Sequence, residues 1–239
     1  MGVLEGKIVI VTGASSGIGA GIAEMFVAEG ASVAMAARRT ERLNERAARL
    51  GAKSLAVRTD VTQEAEVIAL FDATEKAFGT PHILVNCAGF ADHTATDVLT
   101  FDAWNKIVAT NLSSVFLCSR EALRRMKPLK RGRIITIGSI SAEMPRPNSI
   151  GYAATKGAIH SMNHSLALDA RPFGITASVL HPGSTVSELS PDMTARPRSN
   201  TMATEDVARA ALLMASLPNE TNVFELTMLP VDQPYLGRS

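Results

Sequence analysis

Tyr152 and Lys156 stand four positions apart in "GYAATK" (Gly151–Lys156), and Tyr152 is one of only two tyrosines in the chain. On a helix, positions i and i+4 share a face, so the phenol and the ammonium would point the same way. A free phenol titrates near pH ~10, too high for efficient proton exchange at neutral pH. A neighbouring cation favours its ionised form and lowers that value. The pair therefore has the chemistry of a general acid–base couple. Taken alone, the same spacing also describes a packed aromatic beside a snorkelling lysine.

A second stretch could hold a phosphate. "TGASSGIG" sets Gly13, Gly17 and Gly19 between an apolar run and a helical pattern. Glycine permits a tight turn and close backbone approach, and a helix start offers free N–H groups. Ser15 and Ser16 add hydroxyls. Directly after an N-terminal apolar run, this pattern indicates dinucleotide binding rather than a ligand-free corner. A Walker loop is not supported, because "GVLEGKI" has the wrong glycine spacing and Ile8 follows Lys7. The next apolar run ends "AMAARRTER", with Arg38 and Arg39 and no carboxylate before Glu41. An acid at this place would hold a ribose, whereas an arginine accommodates a 2′-phosphate, so NADP(H) is the expected cofactor. The plainer alternative is a solvated arginine pair opening a surface helix.

In order along the chain, "TGASSGIG", "TDVT", "NCAG", "ATNLSSVF", "ITIGSIS", "YAATK" and "HPGSTVSEL" resemble the motifs of the short-chain dehydrogenase/reductase family. Ser139 precedes Tyr152 by thirteen residues, which also resembles the family spacing. The resemblance implies four catalytic residues, Asn111, Ser139, Tyr152 and Lys156. Tyr152 would exchange the proton with a carbonyl oxygen, and Lys156 would lower its pKa and hold the nicotinamide ribose. Ser139 would hydrogen-bond the carbonyl oxygen with Tyr152, and Asn111 would hold a water of a proton relay. The resemblance implies a cofactor set of Gly13, Ser15, Ser16, Gly17, Ile18, Gly19, Arg38, Arg39, Asp60, Val61, Asn86, Ala88, Gly89, Tyr152, Lys156, Pro182, Gly183 and Thr185. It implies no metal.

These residues need a scaffold, and the chain supplies a repeating one. Short apolar runs occur at Lys7–Gly13, Ser32–Ala37, Lys53–Asp60, His82–Gly89, Arg133–Ser139, Ile175–Gly183 and Asn222–Leu229. Segments with helical-period apolar positions lie between them, including one unbroken stretch, "TFDAWNKIVATNLSSVFLCSREALRRMK". Continuous apolar strands alternating with helices indicate a parallel sheet covered on both faces. The expectation is a Rossmann-like α/β fold, a doubly wound sheet of seven parallel strands in the order 3-2-1-4-5-6-7, forming one domain over residues 1–239. Thr62, Gly30 and Gly79 are expected at helix ends. Residues 184–206, rich in Pro, Ser and Thr, are expected to form a substrate lid. Its Arg196 or Arg198 could clamp a carboxylate, and Phe90, Met144, Leu189 and Met193 could form an apolar wall.

The totals set limits. The 239 residues are 46% hydrophobic with a formal net charge of +1, which supports a large core and gives no electrostatic case for nucleic acid or an anionic membrane. No signal pattern opens the chain, and a cytoplasmic protein is expected. Cys87 and Cys118 have apolar neighbours and are expected to be buried reduced thiols. His93 and His181 border the expected pocket as structural histidines.

The function expected is NADPH-dependent reduction of a small or medium ketone, or oxidation of the secondary alcohol, including 3-hydroxy acids and 3-oxo compounds. "GRIITIGSIS" resembles 3-oxoacyl-carrier-protein reductases, whereas "ELTMLPVDQ" is more similar to the branch acting on 3-hydroxy acids. The basic run Arg124–Arg133 would be the docking surface for a carrier protein. A non-catalytic NADP sensor would show a damaged Ser/Tyr/Lys set, and here the set is intact. By resemblance, a homodimer or homotetramer is expected, paired through the helices bearing Asn111 and Tyr152.

Overall fold

The computed structural model describes residues 2–187 and 200–235. Seven strands form one parallel sheet: β1 (Ile8–Thr12), β2 (Ser32–Ala37), β3 (Ser54–Arg58), β4 (Ile83–Asn86), β5 (Gly132–Ile137), β6 (Ile175–Pro182) and β7 (Glu225–Met228). Their order is β3-β2-β1-β4-β5-β6-β7, as the apolar runs and the family resemblance imply. Register is continuous across the centre, where Ile10 pairs with both Ala34 and Leu84.

Side chains alternate across each strand, so the central strands feed two cores. Val9, Val11, Val33, Met35, Ile83 and Val85 face one side, against α1 (Gly17–Ala28) and α7 (Thr204–Ser216). Ile10, Ala34, Leu84 and Ile134 face the other, against α3 (Glu64–Phe78) and α5 (Ser114–Met126). α2 (Thr40–Leu50), α4 (Phe101–Val108) and α6 (Ile150–Ala170) complete the helices. Both faces being covered is why these strands read as unbroken apolar runs. Phe26 of α1 is fully buried, and truncating it to Ala would cost about 3–5 kcal/mol.

Two local expectations change. Gly30 and Gly79 do follow the ends of α1 and α3. Thr62, however, does not cap α3; Gln63 precedes the helix, and Thr62 donates its amide and hydroxyl to Asp60 Oδ1 at 3.0 and 2.7 Å. The acceptor two residues back offers a tighter local turn than the helix start does. The stretch read as one long helix is divided by a π-helical turn at Ala109–Ser113. Thr110, Asn111 and Ser113 are weak helix formers, and Ser114 Oγ donates back to Thr110 O at 2.5 Å. The expected lid falls largely on residues 188–199, so Leu189, Met193, Arg196 and Arg198 lie outside the described residues.

Candidate active site

A cavity of about 1080 Å³ opens at the carboxyl ends of the strands. Residues just beyond six of the strands build its wall: Gly13 after β1, Arg38 after β2, Asp60 after β3, Gly89 after β4, Ser139 after β5 and Gly183 after β6. Chain order reverses direction in the sheet beside β1, and such a switch point opens a crevice at the carboxyl edge.

The glycine corner fits close backbone approach. Gly13 and Gly17 have φ of +70° and +55°, which favour glycine. A Cβ on Gly13 would lie 2.9 Å from Ala88 Cα, and one on Gly19 would lie 2.6 Å from Gly13 O. Thr12, which sequence reasoning overlooked, locks this corner to β4: its hydroxyl accepts from the amides of Cys87 and Ala88 at 3.0 and 3.1 Å. The cradle thus has the shape and free helix start that a dinucleotide pyrophosphate requires.

At the other end stand the two arginines. Arg39 donates to Ser15 Oγ through Nε and Nη2, at 3.1 and 3.0 Å, and its Nη2 also reaches Ser16 Oγ. Arg38 is exposed on the cavity rim near Asp60. Burial opposes ionisation of Asp60, but hydrogen bonds from Thr62 and the charges of Arg38 and Arg58 outweigh it and hold the carboxyl below its ordinary range.

Ser139, Tyr152 and Lys156 converge on the deep end of the cavity. Lys156 is 7% exposed, and its Nζ donates to Ile137 O at 2.7 Å. Burial lowers its pKa from 10.5 to about 8. Burial raises the Tyr152 phenol, opposed by a hydrogen bond from Ser139 and by the charge of Arg146. Lys156 Nζ lies 5.6 Å from the Tyr152 ring centroid. Desolvation, and not the lysine, is therefore the main influence on the phenol in this geometry. Ser139 Oγ accepts from the Ser141 amide at 3.1 Å.

Most of the expected site residues line this cavity: Gly13, Ser15, Ser16, Gly17, Ile18, Gly19, Arg38, Arg39, Asp60, Val61, Ala88, Gly89, Pro182, Gly183 and Thr185 join Ser139, Tyr152 and Lys156. Two do not. Asn86 is 3% exposed and donates to Ser119 Oγ and Thr136 Oγ1, tying β4 to α5 and β5. Asn111 is 1% exposed at the π-helical turn. Its Oδ1 accepts from Phe90 N at 2.9 Å and its Nδ2 donates to Phe90 O at 2.8 Å, so it pins the loop that carries Gly89.

His181 is structural, buried against the Ser139 main chain. His93, Phe90 and Met144 all reach the cavity. Cys87 stands on the cavity wall and Cys118 in the core, and burial pushes both thiols up to about 12. A residue not singled out from the sequence is Arg146, which lines the cavity beside Tyr152 and donates to Ser184 Oγ at 2.9 Å. Its signal was available, since "PRP" interrupts the short stretch between Ser139 and Tyr152.

A parallel sheet with a glycine corner and a Ser/Tyr/Lys group at one carboxyl-end cavity defines a nicotinamide-dependent oxidoreductase. The family model described as short chain dehydrogenase matches residues 7–198. A 3-oxoacyl-[acyl-carrier-protein] reductase of Salmonella typhimurium is 35% identical over 221 residues, covering 89% of this chain and 91% of that protein. An uncharacterised oxidoreductase of Staphylococcus saprophyticus is 34% identical and covers 95% of this chain and 99% of its own length. Among solved structures, a closed serine dehydrogenase complexed with NADP+ matches with TM-score 0.90 at 27% identity, covering 97% of this chain and 98% of that one. The 3-ketoacyl-(acyl-carrier-protein) reductase of Brucella melitensis complexed with NADH matches with TM-score 0.88 at 28% identity, covering 94% and 97%. The chain belongs to the short-chain dehydrogenase/reductase family. It is an oxidoreductase that uses a nicotinamide cofactor and acts on carbonyl or CH–OH groups. Among the described residues, no helix is long and apolar enough to cross a membrane.

Proposed function

We propose that this oxidoreductase uses NADP(H) and reduces a small or medium 3-oxo compound, or oxidises the matching 3-hydroxy compound. The observation that carries the reading is the convergence of Ser139, Tyr152, Lys156 and Arg146 at one end of a cavity whose other end holds Arg38, Arg39 and the glycine corner. The nicotinamide, when bound, supplies or takes the hydride. Tyr152, kept protonated by burial, gives its proton to the carbonyl oxygen during reduction. Ser139 donates to the same oxygen and stabilises the charge that develops there. Lys156, whose Nζ lies 5.6 Å from the Tyr152 ring centroid on the cavity wall, would hold the ribose hydroxyls of the bound cofactor.

Arg146 supports an anionic substrate. Among the described residues it has no carboxylate partner, since Glu143 accepts instead from Tyr235 OH at 2.7 Å. A guanidinium on the substrate side suits a carboxylate close to the reacting carbonyl. Phe90 and Met144 provide the apolar surface for a short chain.

The relatives that reduce carrier-bound 3-oxoacyl groups support a second reading, the same chemistry on a thioester. The basic run Arg124–Arg133 is partly engaged within the chain, while Lys130 and Arg131 stay exposed. Arg125 pairs with Asp72, Glu75 and Glu121, Arg124 pairs with Glu121, and Arg133 is buried against the carbonyls of Leu217, Pro218 and Thr221. Arg131 and Arg133 also lie where β5 begins, opposite the carboxyl-end cavity.

Pairing with further copies of the chain belongs to the same reading, helped by exposed Phe101, Phe116 and Leu168 on α4, α5 and α6. Sedimentation would show a single larger species, and a monomer would count against it. The deciding experiment is cofactor absorbance across free 3-oxo acids, neutral ketones and carrier-bound thioesters, with NADPH and NADH in parallel. Turnover of free 3-oxo acids with NADPH is expected. Turnover confined to carrier thioesters would select the second reading, and preference for NADH would remove the cofactor assignment.

A further inference from the structure

Away from the cavity, α6 carries a second group of chemically able side chains. His160 and His164 are one helical turn apart, so they share a face. The edge strand β7 brings Glu225 to them: His160 Nδ1 lies 2.7 Å from Glu225 Oε1. One ligand atom from each of the three side chains falls within 4.8 Å of the others. The His160 and Glu225 side chains are 39% and 32% exposed, so an ion from solvent can reach them.

His164 is already oriented. Its Nδ1 lies 2.9 Å from His160 O, the geometry of an N–H donating to a carbonyl. That hydrogen bond fixes the tautomer and leaves Nε2 with its lone pair. Metal-bound histidines commonly use their second nitrogen in this way. The edge of Phe224, 4.9 Å between ring centroids, restricts the same ring further.

We propose that His160, His164 and Glu225 form a binding site for a divalent transition-metal ion of the zinc class, with water completing its coordination. Two imidazoles and one carboxylate suit zinc and its neighbours, whereas magnesium and calcium favour all-oxygen sets. Ligand atoms about 2.0–2.2 Å from a tetrahedral ion lie roughly 3.3 Å from each other. The His160–Glu225 contact would open slightly and the widest separation would close, which rotation of partly exposed side chains accomplishes without moving α6 or β7. His181 stands outside this group of three, although its ring centroid lies 6.2 Å from that of His160.

None of the three residues lines the cavity, so the site is distinct from the one that holds the reacting groups. Tag-free full-length protein, stripped with chelator, would be titrated calorimetrically with Zn2+. Co2+ titration would be followed by its visible absorption. One ion per chain is expected, with the intense bands of low-coordinate cobalt. His164→Ala and Glu225→Gln should each weaken binding by at least about tenfold, and His160→Ala/His164→Ala should remove it. Zn2+ should raise the melting temperature of the parent but not of the double variant. No stoichiometric binding by the parent would overturn the proposal and leave a hydrogen-bonded His–Glu pair. Unchanged affinity in a folded double variant, or equal competition by Mg2+, would overturn it too.

Discussion

His181 Nδ1 lies 3.0 Å from the carbonyl oxygen of Ser139 and 3.3 Å from its amide nitrogen. One buried ring nitrogen therefore meets both polar groups of the main chain that carries the site hydroxyl. Burial lowers the His181 pKa against the bond to the Ser139 carbonyl and the charge of Glu225, so the neutral ring is favoured. Gly138 makes the approach possible, because a Cβ there would lie 2.6 Å from Nδ1. Replacing Gly138 by Ala should displace the ring and lower kcat by about a hundredfold, the scale of a small misplacement of reacting groups. Cofactor affinity, measured by quenching, should hold. If kcat survives in folded Gly138→Ala, His181 does not position Ser139.

Tyr152→Phe keeps the packing of the ring and removes the exchangeable proton. Turnover should fall by about 10²–10⁴-fold, the usual contribution of a positioned acid–base group. NADPH binding, followed by fluorescence, should stay near parental. Undiminished reduction would sink the assignment of Tyr152.

Lys156 ties function to stability through pH. Its pKa falls from 10.5 unfolded to about 8 folded, so the native state releases the proton first. Between these values the unfolded chain binds more protons, and stability rises with pH. The penalty for the buried charge is complete below the folded value. Lys156→Met should therefore be inactive yet more stable near neutrality, by up to about 3 kcal/mol. Urea titrations at about pH 7 and about pH 10 should show the advantage shrinking. An advantage that grows with pH would contradict the burial argument.

Arg38 and Arg39 separate two roles in cofactor binding. Arg39 contacts Ser15 and Ser16 at the glycine corner, so its loss should weaken NADPH and NADH alike. Arg38 stands on the rim near Asp60, and Arg38→Ala should weaken NADPH alone by about tenfold to a hundredfold. Calorimetry with both cofactors checks this; equal losses for Arg38→Ala would remove the 2′-phosphate role.

Arg146→Ala should raise KM for free 3-oxo acids by about tenfold to a hundredfold, the worth of one charge-assisted hydrogen bond. A neutral ketone of the same length should be almost unaffected. If both substrates change together, Arg146 supports the loop rather than recognising a carboxylate.

The sequence alone determined the sheet and its chemistry-bearing ends. Unbroken apolar runs such as "KIVIVTG" require burial on two faces, and the turn after each run must fall at the carboxyl edge. Gly13, Arg38 and Tyr152 were read from a strand end or a helix spacing, whereas Asp60 and Ser139 were expected through the family resemblance. Tertiary structure decided what depends on contacts between distant segments. Asn111 and Asn86 turn inward because buried backbone and hydroxyl groups need partners. Lys156 reaches the Ile137 carbonyl because α6 crosses the end of β5, and the resulting desolvation sets both its own pKa and that of Tyr152. Arg146 and Ser184, or His160 and Glu225, have no spacing that marks them as neighbours. Only the folded crossovers bring them within hydrogen-bond distance.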